Sequence, residues 1–463
     1  MRATLLNAWA FALIGSIGVY FCIRAAKMPK WCCLLIAAAM FQSPLGRVLS
    51  SSNSFIFAND VLTPFLIFYA LWKISSVPAR LGAALALLII SLGAIPTVMA
   101  IAGSTNAMTI MQNLINLYRV LGAVALCMVL VEPARSTSLR PSWIFCAFSW
   151  IAIVIVAAMF LQDLGGIDSN VVFRSDHADP TYTDLIDMRH VVMGMWRGNL
   201  GIAGCLAAIF GTLVPASGFK QRLLLYTGAA AGAVVTIFSG AKTSIIASVA
   251  LTLLGLGIAK RSSIGRLASL LIVLSLMGAA WVVINDAVPG TWLYNNTPPL
   301  VLALVQQRKG ATLESRQEVW SEGINFATAH PGTAFGVEPL PGEFGQPHYY
   351  HNEYISVIML GGIWTVTTYA LGLIMLWPVI RRCRKYGPYG AVFGFVFLCG
   401  CIHGLTGSHL QPHHLYAQSV VCFAVLYGIA AGMGSAPKVT AVLTESDIRD
   451  ARQSLCQSRQ TFA

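Results

Sequence analysis

The stretch "HNEYISVIMLGGIWTVTTYALGLIMLWPVIRRCRK", His351 to Lys385, decides the class of the fold. It opens with His351, Asn352, Glu353 and Tyr354, runs through more than twenty mostly apolar residues, and closes on Arg381, Arg382, Arg384 and Lys385. A hydrocarbon core needs about 20 apolar residues of helix, and a basic cluster just beyond such a run marks its cytoplasmic end. The same arrangement recurs along the chain. Of 463 residues, 56% are hydrophobic and only 10% charged, against about 25% charged in a soluble domain. The short alternating segments of a membrane β-barrel are absent. The expected fold is therefore all-α, a polytopic transmembrane helix bundle.

Candidate spans are 6–23, 29–45, 54–72, 81–102, 114–131, 142–162, 191–213, 221–238, 243–259, 266–285, 353–379, 388–405 and 413–432. That makes thirteen, with twelve or fourteen as neighbouring counts because the second is short and the eighth and ninth nearly touch. The first has no small-residue cleavage site after it and reads as a helix rather than a removed signal. Charge favours thirteen. Arg24/Lys27/Lys30, Lys73/Arg80, Arg135/Arg140, Lys220/Arg222, Lys260/Arg261/Arg266 and Arg381/Arg382/Arg384/Lys385 occupy every second connection. All six basic connections then lie in the cytoplasm, with the N-terminus outside and the C-terminus inside. The net charge of +12 follows from these clusters and implies no nucleic-acid partner.

One transmembrane domain, 1–433, is expected, followed by a polar cytoplasmic tail, 434–463. Two long connections fall on the outer side. Residues 163–190 carry six aspartates, and 286–352 form a loop in which Leu313, Val319, Trp320, Ile324 and Phe326 have helical spacing. That spacing predicts short amphipathic helices at the interface. Loops of such length are commonly functional. The eleven cysteines lie mostly in apolar runs and none in the long polar loops, so they read as small packing residues.

Ionisable groups near lipid are costly and tend to have a task. His351, beside Glu353, has the chemistry of a base that takes a proton from a hydroxyl; the simpler reading is an interfacial histidine bonded to a loop. On a straight helix starting near Asn352, Gly362 would lie about 15 Å deeper, and Gly361-Gly362 would admit a neighbouring helix. Arg197 in "MWRGNLGIAG" and Arg316 in "LESRQEVW" have the planar fork that suits phosphate oxygens. Against this, Arg197 could snorkel or pair with upstream aspartates, and Arg316 could pair with Glu314 or Glu318. Lys242, in a short outward turn, adds charge to the same side or is a plain turn lysine. His348 and Tyr354 flank the histidine. Asp60 and Arg119 read as structural, paired with backbone or with each other. His403, His409, His413 and His414 are irregularly spaced and lack carboxylate neighbours, which disfavours zinc. No metal is expected. Walker, GxSxG and HExxH motifs are absent, which leaves ATP hydrolysis, serine hydrolysis and zinc proteolysis without support.

The combination resembles the O-antigen ligases and the related O-antigen and exopolysaccharide polymerases. Their pattern of His-Asn/Ser/Gln, nine residues, Gly, two residues and Gly/Thr/Tyr reads here as His351-Asn352, nine residues, Gly362, Ile363-Trp364 and Thr365. Arg316, fifteen residues and Gly332 resemble the family's loop element, and "WRGNLGIAG" its earlier arginine-glycine element. The resemblance covers about 190 to 380 in detail. It implies a metal-independent glycosyltransferase, without cofactor, that uses an undecaprenyl-diphosphate-linked glycan in the bacterial inner membrane and faces the periplasm. It assigns His351 as the base, with Arg197 and Arg316 on the diphosphate. Lys242, His348, Asn352, Glu353 and Tyr354 would contact the diphosphate or glycan. The acceptor would be another lipid-linked glycan for a polymerase, the slightly favoured reading, or lipid A-core for a ligase. A chain-length regulator or flippase is the protein partner such a family implies. Lys242 departs from the family, which often has arginine there, and so do the thirteenth span and the outward N-terminus. A reading of another class is a polysaccharide-lipid transporter or flippase, with Asp60, Arg119 and Arg197 lining a pathway.

Overall fold

The computed structural model describes residues 2–41, 45–47, 55–103, 107–136, 138–163, 197–216, 218–238, 352–405, 409–410 and 417–436, with isolated residues between 247 and 251 and between 320 and 329. These residues form a helical bundle. In chain order the helices are α1 (Arg2–Ala25), α2 (Lys30–Ala39), α3 (Ala58–Trp72), α4 (Ala79–Ile89), α5 (Ile95–Gly103), α6 (Ala107–Val131), α7 (Pro141–Asp163), α8 (Arg197–Leu213), α9 (Phe219–Phe238), α10 (Glu353–Arg381), α11 (Pro388–Gly404) and α12 (Ala417–Ser435). Five helical stretches are long and apolar enough to cross a membrane: Leu6–Ala25, Ala79–Ala102, Ile110–Arg135, Pro141–Leu161 and Glu353–Tyr386. Exposed apolar side chains such as Phe65, Phe68, Trp72 and Ile374 are what a surface facing lipid requires. An all-helical bundle with five helices able to cross a membrane is thus the observed class. The expected spans 243–259 and 266–285, and the amphipathic helices of the long loop, fall almost entirely outside the described residues.

Two expected spans differ in form. The second is helical only over Lys30–Ala39, about 15 Å of rise, half of a hydrocarbon core. Beyond it Gly46–Arg47 pairs antiparallel with Phe55–Ile56, the one ladder among the described residues. Pro44 and the serine-rich "SSSNS" that follow the helix are poor helix formers. The fourth span is interrupted by a π-helical turn, Ile90–Ala94, where the Ile95 N–H reaches back to the Ile90 carbonyl. Pro96, next in sequence, has no N–H to continue an α-helical ladder, so the widened turn joins α4 to α5.

The core is apolar and aromatic. Phe145 of α7, Phe210 of α8 and Phe393 of α11 are fully buried, with ring centroids 4.7 and 5.2 Å from Phe145. Such pairs stabilise by about 0.5–1.5 kcal/mol beyond their area. The α12–α6 contact uses Gly428 and Gly432, one helical turn apart. A Cβ on either would sit 2.4 Å from the Cys127 carbonyl oxygen or 2.3 Å from that of Val131, so these two positions admit the partner helix as backbone against backbone.

Hydrogen bonds bring the basic connections to one end of the bundle. The Arg140 N–H donates to the Ala26 carbonyl at 3.0 Å. Arg135 donates to the Ser76 carbonyl and, at 2.9 Å, to the Ser435 hydroxyl. Lys73 pairs with Glu132 at 3.0 Å, and hydrogen bonding to that carboxylate raises the lysine pKa above its ordinary value. Lys385 donates to the Ala436 carbonyl, and Tyr389 donates to that of Pro215 at 3.0 Å. Five of the six basic connections therefore share one end, the segregation that the positive-inside rule describes. The sixth, 260–266, lies outside the described residues.

Inside the bundle Asp60 and Arg119 form the pair anticipated as one alternative. Arg119 donates from Nε to Oδ1 and from Nη2 to Oδ2 of Asp60, both at 3.2 Å, and its guanidinium lies over the Phe57 ring. Asp60 also accepts the Phe57 N–H at 3.0 Å, so the same carboxylate starts α3 and ties it to α6.

Candidate functional site

The candidate site is built on α10, and its first residue in the described chain is Asn352. Asn352 has extended backbone and caps the helix: its Oδ1 accepts the N–H groups of Tyr354 at 3.0 Å and Ile355 at 3.2 Å. Its side chain is committed to the helix start, a role worth about 1 kcal/mol.

The helix that follows is not straight. Tyr369 donates its hydroxyl proton to Glu353 Oε1, although sixteen residues of straight helix would separate them by about 24 Å. Thr365 Oγ1 lies 2.6 Å from the Val357 carbonyl oxygen and 2.9 Å from that of Gly362, where eight residues of straight helix rise about 12 Å. Both long pairs, 353 with 369 and 357 with 365, are symmetric about Gly361. The chain therefore doubles back there, and α10 consists of a short arm, 353–360, folded against a long arm, 363–381. Gly362 makes the reversal at φ 58° and ψ −141°, a conformation that favours glycine. At Gly361 a Cβ would meet Ile95 Cγ2 at 2.7 Å, so the reversal packs beside the π-helical turn that precedes Ile95. The hydroxyl of Thr365, fully buried, has one proton to donate and bridges the two arms through the Val357 carbonyl.

This reverses the depth expected from a straight helix. The long arm ends at Arg381 in the basic end, so the glycine turn stands about 27 Å from that end, and Tyr369 about 18 Å from it. Glu353 is level with Tyr369. The glycine pair is the tip, and the head of the short arm lies about 9 Å further in. The long arm alone, 363–381, is still long enough for about a full hydrocarbon core.

The head is held by three separate segments. Glu353 is 1% exposed. Besides Tyr369, it accepts the Leu410 N–H at 3.1 Å and the His409 N–H. Tyr354 donates to the Cys401 carbonyl at 2.7 Å, anchoring the head to α11. His409 itself is fully buried. Its Nε2 lies 2.5 Å from the Tyr427 hydroxyl, and its ring sits among those of Phe397, Phe423 and Tyr427. Gly400 makes the space, since a Cβ there would be 2.2 Å from His409 Nε2. The turn after α11 thus dips into the bundle and brings its amides to Glu353.

Of the residues expected at the site, Asn352, Glu353 and Tyr354 are together in this head, each with its side chain engaged by the protein. Arg197 is the first described residue of α8. Because Pro215, beyond the other end of α8, meets Tyr389 at the basic end, the Arg197 backbone lies towards the opposite end of the bundle, away from the basic cluster. His351, joined directly to Asn352, and His348, Arg316 and Lys242 lie outside the described residues. Among the described residues no group of three or more His, Cys, Asp or Glu is placed to hold a metal, and the histidines met there, His403 and His409, are packing residues of α11 and its following turn. Tyr369, Tyr427 and the His409 and Leu410 amides had not been singled out. The one signal that points to Tyr369 is its symmetry with Glu353 about the glycine pair. No protein-family model matches the chain and no curated protein does, so the resemblance to the O-antigen ligase and polymerase family rests on its motifs.

Proposed function

We propose that this protein is an integral-membrane glycosyltransferase that moves glycan from an undecaprenyl-diphosphate donor to an acceptor hydroxyl at the periplasmic face of the bacterial inner membrane. It would polymerise O-antigen or exopolysaccharide repeat units. One observation carries the reading: the described positions of the His-Asn, nine, Gly, two, Thr pattern act as one conformational unit. Asn352 caps the short arm, Gly362 reverses the chain, and Thr365 joins the two arms through the Val357 carbonyl. A motif that specifies a re-entrant arm at this cost in backbone regularity has a reason to present the residue at its head, which is His351.

In this reading His351 takes the proton from the acceptor hydroxyl as its oxygen bonds to the anomeric carbon of the donor. The bond from that carbon to the diphosphate oxygen breaks, and undecaprenyl diphosphate leaves with the electron pair. Arg197 and Arg316, with Lys242, supply positive charge to the leaving diphosphate. Asn352, Glu353 and Tyr354, which the resemblance puts in contact with substrate, also build the head.

A second reading is favoured by the same break. Discontinuous helices are the hallmark of binding sites in secondary transporters, and a lipid-linked glycan carrier would use the re-entrant arm as a gate. Reconstitution in liposomes with lipid-linked repeat units separates the two. Glycan growth on the polyprenyl lipid, lowered about 10²–10⁴-fold in His351→Ala, is the expected result. Transfer only to added lipid A-core would make the protein a ligase. Passage of lipid-linked glycan across the bilayer without any transfer would replace the enzyme reading by the transporter.

A further inference from the structure

We infer that Glu353 is a positioning residue that clamps the head of the re-entrant arm to the turn after α11, and that turnover at the proposed base depends on this clamp; this rests on the proposed glycosyl transfer and deepens it. The carboxylate accepts from Tyr369 on the long arm and from the amides of His409 and Leu410 in the turn after α11. Two of these partners are backbone amides, which can only donate, a pattern that suits an acceptor-only carboxylate. A charge removed from water costs several kcal/mol unless hydrogen bonds replace its hydration, and charge-assisted bonds are about twice as strong as neutral ones.

The clamp has a second half that carries no charge. His409 fills the space over Gly400 among Phe397, Phe423 and Tyr427, which fixes the turn and sets the angle of its two amides. Glu353 is two residues from His351 in sequence, so the clamp bears on the proposed base. Buried as it is, the side chain acts through the backbone it holds.

The test uses the full-length protein in nanodiscs and two readouts, backbone hydrogen exchange and the rate of transfer from undecaprenyl-diphosphate repeat units. In Glu353→Gln the carboxamide turns a donor towards one of the donors it faces. The amides of His409 and Leu410 and those of 352–356 should exchange faster. Turnover at saturating donor should fall about 10- to 100-fold, the scale of a base misplaced by about 1 Å, with KM for the donor unchanged. Should this variant not fold, Tyr369→Phe removes one donor and gives the same pattern in weaker form. Glu353→Asp, which keeps the charge, should recover part of the loss. Wild-type turnover per folded molecule in Glu353→Gln, or a rise in KM alone, would overturn the positioning role. Unchanged exchange at His409 and Leu410 would overturn the clamp. If the wild-type protein transfers no glycan, the proposed function fails, and the exchange data still decide the clamp.

Discussion

Among the described residues two carboxylates lie inside the apolar bundle, and they are stabilised in opposite ways. Asp60 meets a cation, the two-pronged guanidinium of Arg119, and a local amide three residues away. Glu353 meets a tyrosine sixteen residues on and amides more than fifty residues on. The first arrangement joins two neighbouring helices and is complete in itself. The second links segments far apart in sequence, the two arms of α10 and the turn after α11. Ion pairing thus accompanies regular packing here, whereas amide capture accompanies the irregular backbone around the candidate site.

Truncating each partner would break this comparison most directly. Glu353→Ala orphans three buried donors at about 1–3 kcal/mol each, and should give the largest drop in the thermal midpoint of protein in nanodiscs. Arg119→Leu leaves the largely enclosed Asp60 carboxylate without its cation and should cost up to about 3 kcal/mol. The pair Asp60→Asn with Arg119→Leu should recover much of that loss, because the uncompensated charge is gone; a double variant as unstable as the single one would contradict the ion-pair account. The smallest effect belongs to the reversal. Gly362→Ala forces an alanine to φ 58° and should cost roughly 1–3 kcal/mol, read as a lower midpoint with faster exchange confined to 357–369. A midpoint equal to wild type would mean the chain does not reverse there.

The class of fold was legible because burial in lipid demands long apolar helices, and because basic residues mark alternate connections whatever lies between them. The pairing of Asp60 with Arg119 was within reach for the same reason: two intramembrane charges of opposite sign are cheapest together. The doubled form of α10 was not. Both arms are apolar, so hydropathy cannot tell one long helix from two antiparallel ones, and Gly361-Gly362 reads equally as a face for helix packing. The role of Glu353 was hidden further, since its partners at 369, 409 and 410 share no spacing with it except through the fold. Its position beside a candidate base suggested substrate contact, while its geometry makes it part of the scaffold.

The clamp also has a consequence for how the chain is made. Glu353 leaves the ribosome 56 residues before His409, which at about 5–20 residues per second is roughly 3–11 s of synthesis. During that interval the segment has the length and composition of one uninterrupted span, and neither the amides nor the aromatic pocket that hold it in its doubled form yet exists. The re-entrant arm is therefore a late event of biogenesis, set by the last two helices to emerge. A nascent chain stalled before residue 409 should still present 353–381 to the insertion machinery as a single crossing.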